Sequence, residues 1–219
     1  MIEVRNVSKI YRTRHGLRRV LDDVNLRIRK GEHVGMFGRN GAGKSTLIRL
    51  IGGAERPSNG TIERGMSVSW PIAFAGAFQP MLTGVDNLRF VCRVYGINAA
   101  DVQPFVEDFA ELGTYMREPV YRYSTGMLAR LAFAISLSIE FDCFLIDEVT
   151  AVGDSRFHEK CRLELFDKRK DRAFLIATHD AAIIDTYCDR AAVLDDGKLR
   201  VFDHVPDAHA YFYHLIAQP

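Results

Sequence analysis

The chain has 219 residues, enough to bury a sizeable core within one domain. Its 29 Lys and Arg against 28 Asp and Glu leave a net charge of +1, so no global field draws in nucleic acid or anionic lipid, and we expect no nucleic-acid partner. No stretch reaches the ~18 to 20 apolar residues that span a bilayer, and the N-terminus lacks a signal peptide's apolar core. The four cysteines are far apart in the chain, which fits reduced thiols in a cytosolic protein.

The first two elements are predicted to be strands joined by a basic turn. IEVRNVSKIY and VLDDVNLRI alternate apolar and polar residues, which is typical of half-buried strands. A polar, basic stretch lies between them and resembles a hairpin tip; its charged members are Arg12, Arg14, His15, Arg18 and Arg19. Two interpretations of this cluster stay open, a solvated loop and a contact with a phosphate or a lipid headgroup.

The next segments predict a strand, a loop and a helix. HVGMFG is a short apolar run, RNGAGKS is rich in glycine, and TLIRLIGG has helical spacing with a glycine stop. From Pro57 to about Ala77 the turn signals PSNG and ERG separate short strand candidates. We expect this part to form a small antiparallel layer.

The remainder is predicted to be a helical lobe followed by alternating strands and helices. Helical patterns dominate from residue 83 to about 137, and this region is interpreted as an inserted lobe. Two buried strands follow, CFLIDE and AFLIATH, each succeeded by a helical segment, RFHEKCRLELFDKR and AAIIDTYC. RAAVLDDGKLRVF predicts a hairpin with DDG at its turn, and PDAHAYFYHLIAQ predicts a closing helix.

A phosphate-binding motif lies between the third strand and the first helix. Residues 38–45 match the pattern GxxxxGK[ST] in full. Glycines let backbone N–H groups fold around a phosphate chain, the lysine reaches the terminal phosphates, and the serine is a ligand for Mg²⁺. The candidate phosphate-binding residues are Gly38, Asn40, Gly41, Ala42, Gly43, Lys44, Ser45 and Thr46.

An acidic pair at the end of CFLIDE supplies a second part of the predicted site. Asp147 ends a buried strand and is predicted to hold Mg²⁺ beside Ser45. Glu148 follows directly, on the opposite side of the strand end, where it could polarise an attacking water. A solvated strand end is the alternative interpretation of an isolated acidic pair, but a nearby phosphate loop favours the hydrolytic one. The chain has no NKxD-type motif, which counts against a GTPase.

With these motifs in place, the chain resembles the nucleotide-binding subunits of ABC transporters over essentially its whole length. The motifs fall in the family's order: Tyr11, the phosphate loop at 38–46, Gln79, the signature at 123–127, the acidic strand at 144–148 and His179. The resemblance implies an α/β fold with a RecA-like P-loop NTPase core, a small antiparallel β layer and a helical lobe. It also implies one domain, 1–219, with the lobe inserted at about 83–137.

The resemblance further implies ATP and Mg²⁺ as ligands, with a role for each motif. Tyr11 would stack on adenine, Gln79 would be a ligand for Mg²⁺, and His179 would contact the γ-phosphate while orienting Glu148, the catalytic carboxylate. Two copies would close head to tail as a homodimer. In that dimer the signature residues Ser124 and Gly126 would reach the neighbour's ATP, and the loop around Asp154 would cross to the partner.

The signature itself departs from the usual LSGGQ, because it reads YSTGM at 123–127. Ser124 is a good N-cap for the apolar run that follows, so the segment is first of all a helix start. The retained pair, Ser124 and Gly126, provides a hydroxyl donor and a residue without Cβ, which a phosphate contact requires. Arg130 also keeps its family place.

Within the family, the likeness is greatest to the subunits that export bacterial capsular polysaccharide, through DEVTAVGD, YSTGM and LTGVDNLRF. It implies polytopic membrane permease subunits and envelope export proteins as partners, a lipid-linked polysaccharide as cargo, and a peripheral location on the cytoplasmic side of the inner membrane. The end of the chain at Pro219 leaves no room for the carbohydrate-binding domain of many O-antigen exporters. Other exporters, of O-antigen, teichoic acid or small molecules, stay open as alternatives, as does a non-transport ABC ATPase.

Overall fold

The computed structural model describes residues 1–14, 16–73, 76, 78–148, 155–178 and 180–217. The chain divides into two compact units. The first comprises Met1–Pro71, Phe141–Val149 and Arg169–Pro219, and the second comprises Ile72–Glu140 and Thr150–Lys168. A single domain with a lobe at about 83–137 stays a prediction.

The described residues form nine strands and seven α-helices. The strands are β1 (Ile2–Thr13), β2 (Gly16–Ile28), β3 (His33–Gly38), β4 (Asn59–Arg64), β5 (Val68–Pro71), β6 (Cys143–Asp147), β7 (Ala173–Ala177), β8 (Arg190–Asp195) and β9 (Lys198–Phe202). The helices are α1 (Lys44–Ile51), α2 (Gly84–Tyr95), α3 (Ala99–Ala110), α4 (Thr125–Leu137), α5 (Ser155–Arg162), α6 (Ala181–Tyr187) and α7 (Val205–Ala217). Among the described residues, none of the helices has both the length and the apolar character that a membrane span requires.

The first unit contains a small antiparallel sheet and a larger, mostly parallel one. The small sheet has the order β2-β1-β4, so the predicted hairpin of the first two strands is confirmed. The large sheet has the order β5-β6-β7-β3-β8-β9, in which only the β8–β9 pair is antiparallel. The β8–β9 hairpin turns at Asp196 and Gly197, both with positive φ, as the DDG sequence predicts.

The expectation of one antiparallel layer over Pro57 to Ala77 is wrong for its second half. β4 joins the small sheet, but β5 pairs in parallel with β6 at the edge of the large sheet. The buried Ser69 hydroxyl accepts a hydrogen bond from the backbone N–H of Leu145, which fixes β5 against its neighbour. Pro71 is tolerated there because an edge strand leaves one side of its backbone unpaired.

Apolar residues cover both faces of the large sheet. β7 is buried along its whole length, which is typical of a parallel strand with elements on both faces. On one face, Leu47 and Ile51 of α1 belong to the same buried cluster as residues of the small sheet. On the other face, Ile184 of α6 and Ala208 of α7 pack with Phe37 of β3. The loop between β3 and α1 thus begins and ends in elements that are packed into the core.

The second unit is helical. Thr83 caps α2 by accepting from the N–H of Asp86, and Asn98 caps α3 in the same way, so both helices begin where turn chemistry predicts. Its core includes a cluster of stacked and edge-on rings from α3, α4 and α5, formed by Phe105, Phe109, Phe133 and Phe157. The helix predicted over RFHEKCRLELFDKR changes to a π-helical turn at Leu163–Asp167.

Candidate nucleotide site

The loop after β3 has the conformation that a phosphate loop needs. β3 ends at Gly38, where a Cβ would lie 2.6 Å from the carbonyl oxygen of Leu194, so the loop starts packed against β8. Gly41 and Gly43 both have positive φ, 80° and 111°, which residues with a Cβ rarely adopt. In the described part of the chain, no atom lies within 4 Å of a Cβ at Gly41, so the space there is open to a ligand.

Lys44 begins α1 and folds back over the loop. Its Nζ donates to the carbonyl oxygens of Gly38, at 2.6 Å, and Arg39, at 3.2 Å. Burial lowers the pKa of the Lys44 ammonium, while the charges of Glu148 and Asp147 oppose that shift. A cation whose protein contacts are neutral carbonyls gains more from a phosphate, because charge-assisted hydrogen bonds are the stronger ones.

Ser45 and Asp147 meet although 102 residues separate them. The Ser45 hydroxyl donates to Oδ1 of Asp147 at 3.1 Å, since α1 begins beside the carboxyl end of β6. Burial raises the pKa of Asp147 and the negative charge of Glu148 adds to the rise, while the Ser45 hydrogen bond opposes it. The described residues contain no group of three His, Cys, Asp or Glu that could hold a metal ion. A serine hydroxyl and one carboxylate still suit Mg²⁺, which usually keeps several waters.

Glu148 leaves the strand in an unusual conformation. Its φ is 47°, in the left-handed region, and its backbone N–H donates to the carbonyl of Ala177 at 2.7 Å. Strand alternation predicts that Glu148 and Asp147 point to opposite sides, but both line the same cavity because this φ turns the chain. Backbone strain of this kind clusters at functional sites.

These residues surround one cavity of about 410 Å³. Its lining comprises Arg18, Val20, Asn40, Gly41, Gly43, Lys44, Ser45, Thr46, Asp147 and Glu148. Thr46 is buried, and its hydroxyl accepts from the Arg49 guanidinium at 3.2 Å. Gly38 and Ala42 are not in this lining; Ala42 instead donates its N–H to the carbonyl of Arg39 at 3.1 Å. The predicted phosphate-loop residues do not include Arg18 or Val20; Arg18 is named only in the basic cluster, for which a phosphate contact is one of two interpretations.

Tyr11 lies across that hairpin, directly opposite Arg18 in the strand register. Its hydroxyl donates to Glu55 at 2.6 Å, and Lys9 lies over its ring at 5.0 Å from the centroid. Burial opposes the charge on Glu55, but hydrogen bonds from Tyr11, Arg49 and Lys9 outweigh it and hold the pKa of Glu55 at about 2. Tyr11 is therefore fixed at its hydroxyl end, outside the lining of the phosphate cavity.

The second unit contains three further predicted residues. Gln79 is exposed, and its backbone N–H donates to Oδ1 of Asn87 at 2.8 Å. Ser124 is the N-cap of α4 and accepts from the N–H of Met127 at 3.2 Å, so the predicted helix start is confirmed. Within the part of the chain that the structure describes, a Cβ at Gly126 would meet the Ser124 hydroxyl alone, at 3.9 Å, so this helix start has room around it.

The first departure from the usual signature has a structural role. The Tyr123 hydroxyl donates to the carbonyl of Tyr115 at 2.6 Å, and it fills the space that a side chain at Gly84 would need. Burial raises the pKa of the Tyr123 phenol. Two other predicted residues, His179 and Asp154, lie outside the described residues.

The model of the ABC transporter family matches residues 21–151, more than half of the chain. The chain belongs to the ABC transporter family. This ABC cassette therefore binds nucleotide and is an ATPase, so the predicted family and the predicted ATPase activity are confirmed.

Two similar proteins cover nearly the whole cassette. The capsule polysaccharide export ATP-binding protein CtrD of Neisseria meningitidis serogroup B is 57% identical, over 98% of this chain and 100% of its own length. The ATP-binding protein BexA of Haemophilus influenzae is also 57% identical, over 97% of this chain and 98% of its own length.

A solved structure shows the same fold. It is a dimeric ATP-binding cassette in a post-hydrolysis state, bound to ADP and Pi, with a TM-score of 0.79 over 93% of this chain and 98% of that one. Its sequence is 22% identical, so this likeness concerns the fold alone. The predicted ABC ATPase fold is confirmed.

Proposed function

We propose that this ABC cassette is the ATP-hydrolysing subunit of a transporter that exports lipid-linked capsular polysaccharide. The observation that supports the cargo is the 57% identity, along nearly the full chain, to a capsule polysaccharide export ATP-binding protein. The chemistry rests on the cavity in which Lys44, Ser45 and the acidic pair come together. Exporters of other glycans or of small molecules would use the same cavity, so the cargo needs its own test.

The phosphate chain of ATP is proposed to lie in the loop between β3 and α1. The backbone N–H groups from Gly38 to Thr46 and the start of α1 bind its oxygens, and Lys44 exchanges its carbonyl contacts for the terminal phosphates. Ser45 and Asp147 would hold Mg²⁺, with Gln79 as a further ligand. When bound, Mg²⁺ neutralises charge on the phosphates.

Hydrolysis is assigned to Glu148 as the base that accepts a proton from the attacking water. Its exposed carboxylate lines the phosphate cavity beside Asp147. His179 is proposed to orient the γ-phosphate and this water. Tyr11, held by Glu55, would offer one face of its ring to adenine.

The active assembly is proposed to be a homodimer in which each ATP lies between two copies. Ser124 and Gly126 of one copy would bind the γ-phosphate held by the other, and the loop around Asp154 would cross the interface. Polytopic permease subunits would anchor this dimer at the cytoplasmic side of the inner membrane, with envelope export proteins beyond. We further propose that the whole chain, 1–219, is one domain with its helical lobe at about 83–137.

Deletion of the gene, followed by complementation, tests the function. Wild type and Glu107→Gln, a control on the exposed face of α3, should restore surface polysaccharide. Glu148→Gln should not, because it removes the proposed base, and polysaccharide should accumulate in the cytoplasm instead. The purified Glu148→Gln protein should bind ATP without turning it over.

The outcomes distinguish the identity of the exported substrate from the role of Glu148 in hydrolysis. Surface polysaccharide that survives deletion would reject the capsule assignment. ATP turnover undiminished in Glu148→Gln would remove Glu148 from the mechanism while leaving the cargo open to the deletion result.

A further inference from the structure

Arg18 is a cation in the phosphate cavity that the predicted motifs do not include. Its side chain is exposed, and it lines the same cavity as Lys44 and Ser45. Across the described residues, no carboxylate pairs with it. The next residue differs, because Arg19 is engaged by Asp22 at 2.7 Å. Of these two adjacent arginines, Arg18 alone lines the cavity.

Two sets of contacts position Arg18, one with β1 across the hairpin and one between β2 and the phosphate loop. Across the hairpin it faces Tyr11, whose hydroxyl is fixed by Glu55. Two residues further on, the carbonyl of Val20 lies 3.0 Å from where a Cβ of Gly43 would be, so β2 passes directly over the phosphate loop. The N–H of Asp22 donates to the carbonyl of Gly197 at 2.8 Å, which ties the base of the hairpin to the large sheet.

Arg18 thus stands between the proposed adenine platform and the loop that receives the phosphates. A planar guanidinium with several N–H donors suits phosphate oxygens. A bound nucleotide would bring negative charge into the cavity that Arg18 lines. A purely solvated side chain would not need to lie in that cavity.

We propose that Arg18 binds the phosphate chain of the nucleotide from the hairpin side, as a second cation beside Lys44. The inference rests on the proposed nucleotide site. It gives one member of the basic cluster a role within ATP binding, and it makes β2 part of the binding site.

Calorimetric titration of the full chain with MgATP, MgADP and AMP tests this role. Arg18→Ala should weaken MgATP binding about fivefold, the range of a solvent-exposed charge pair. The loss should be smaller for AMP, which has fewer phosphates, and should shrink as salt is raised. Arg18→Lys should recover most of the affinity. Arg19→Ala, the matched control, should bind like wild type.

Lys44→Ala distinguishes this proposal from the proposed site itself. If Lys44→Ala abolishes binding while Arg18→Ala matches wild type at every salt concentration, Arg18 has no role and the site stands. If wild type does not bind MgATP, the site assignment fails.

Equal losses for AMP and MgATP would place Arg18 on the nucleoside and overturn the phosphate contact. Unchanged ATP affinity with lost binding to anionic vesicles would assign Arg18 to a lipid headgroup instead. The Arg18 and Arg19 variants should have the melting temperature of wild type, because both side chains are exposed.

Discussion

At the scale of single residues, the acidic end of β6 lowers the stability of the nucleotide-free protein while providing a carboxylate for a cation. Asp147 is half-buried, and the Ser45 hydroxyl donates a hydrogen bond to its carboxylate. Burial and the charge of Glu148 raise the pKa of Asp147, so ionisation at neutral pH costs free energy in the folded chain. That cost is the expected signature of a carboxylate kept for a cation rather than for the fold.

Replacing Asp147 should therefore stabilise the nucleotide-free protein. A folded pKa above the ordinary 3.8 means that this carboxyl favours folding when protonated, and loses that contribution as the pH rises through its folded pKa. Asp147→Asn should raise the Tm at pH 7 by about 2 °C, and the gain should vanish near pH 4. Its Mg²⁺-dependent ATP turnover should fall by about tenfold to a hundredfold. Calorimetric melts at several pH values and a turnover assay measure both effects.

Asp142, which directly precedes β6, provides a control because its pKa is shifted in the opposite direction. Hydrogen bonds from the Ser67 backbone N–H and hydroxyl lower the pKa of Asp142. The ionised Asp142 carboxylate therefore stabilises the folded chain at neutral pH, and this stabilisation is lost as the pH falls through the lowered pKa. Asp142→Asn should accordingly lower the Tm at pH 7. An Asp147→Asn protein that melts below wild type at pH 7 would contradict the burial argument.

The phosphate-site residues differ in how far the sequence reveals them. Lys44, Ser45 and Asp147 could be predicted because a strand, a glycine-rich loop and a helix fix them locally, and parallel strands end at one edge. The side of the strand end on which Glu148 lies could not be predicted, because it depends on a φ of 47° that strand alternation does not encode. Arg18 enters the cavity only through the register of the hairpin, which no motif records.

At the scale of elements, a buried asparagine on α2 holds the segment that contains Gln79. The side chain of Asn87 is fully buried. It accepts from the N–H of Gln79 and donates to the carbonyl oxygens of Gln79, Leu82 and Thr83 at 3.0 to 3.4 Å. One side chain thus satisfies backbone groups along the whole turn before α2.

Asn87→Ala should lower the free energy of unfolding by about 2 to 3 kcal/mol, because it removes a fully buried amide that bonds to the backbone at four places and leaves the Gln79 N–H without its acceptor. Denaturant unfolding measures this change. Arg89→Ala is the control, since Arg89 is an exposed residue of the same helix in an i, i+3 pair with Asp86, and should change stability by about 0.5 kcal/mol or less. A loss for Asn87→Ala no larger than that of Arg89→Ala would show that water replaces the amide.

Some strands and helices could be predicted from sequence patterns alone, and others could not. The two buried strands β6 and β7 could be predicted from their apolar runs, and α2 and α4 from their caps. The sheet to which β5 belongs could not be predicted, because a four-residue strand has too short a pattern to reveal its partner. Its position depends on Ser69 and on Ser67 meeting Asp142, contacts that span about 75 residues.

At the scale of the whole molecule, the predicted motifs are divided between the two units. The phosphate loop and the acidic pair belong to the first unit, while Gln79, Ser124 and Gly126 belong to the second. The start of α4 at Ser124 is exposed, and the phosphate proposed for it is the one held by the other copy of the dimer. Every proposed role of that helix start therefore depends on a second copy of the chain supplying the phosphate.

The most direct test of this central claim is to mix two inactive variants. Lys44→Ala lacks the phosphate lysine, and Ser124→Arg blocks the signature while leaving ATP binding to the isolated protein nearly intact. Each alone should hydrolyse ATP at a small fraction of the wild-type rate. A mixed dimer would contain one complete site, made from the Ser124→Arg loop and the Lys44→Ala signature. We predict that mixing restores a substantial part of the turnover; activity that stays at the sum of the two separate variants would contradict catalysis between copies.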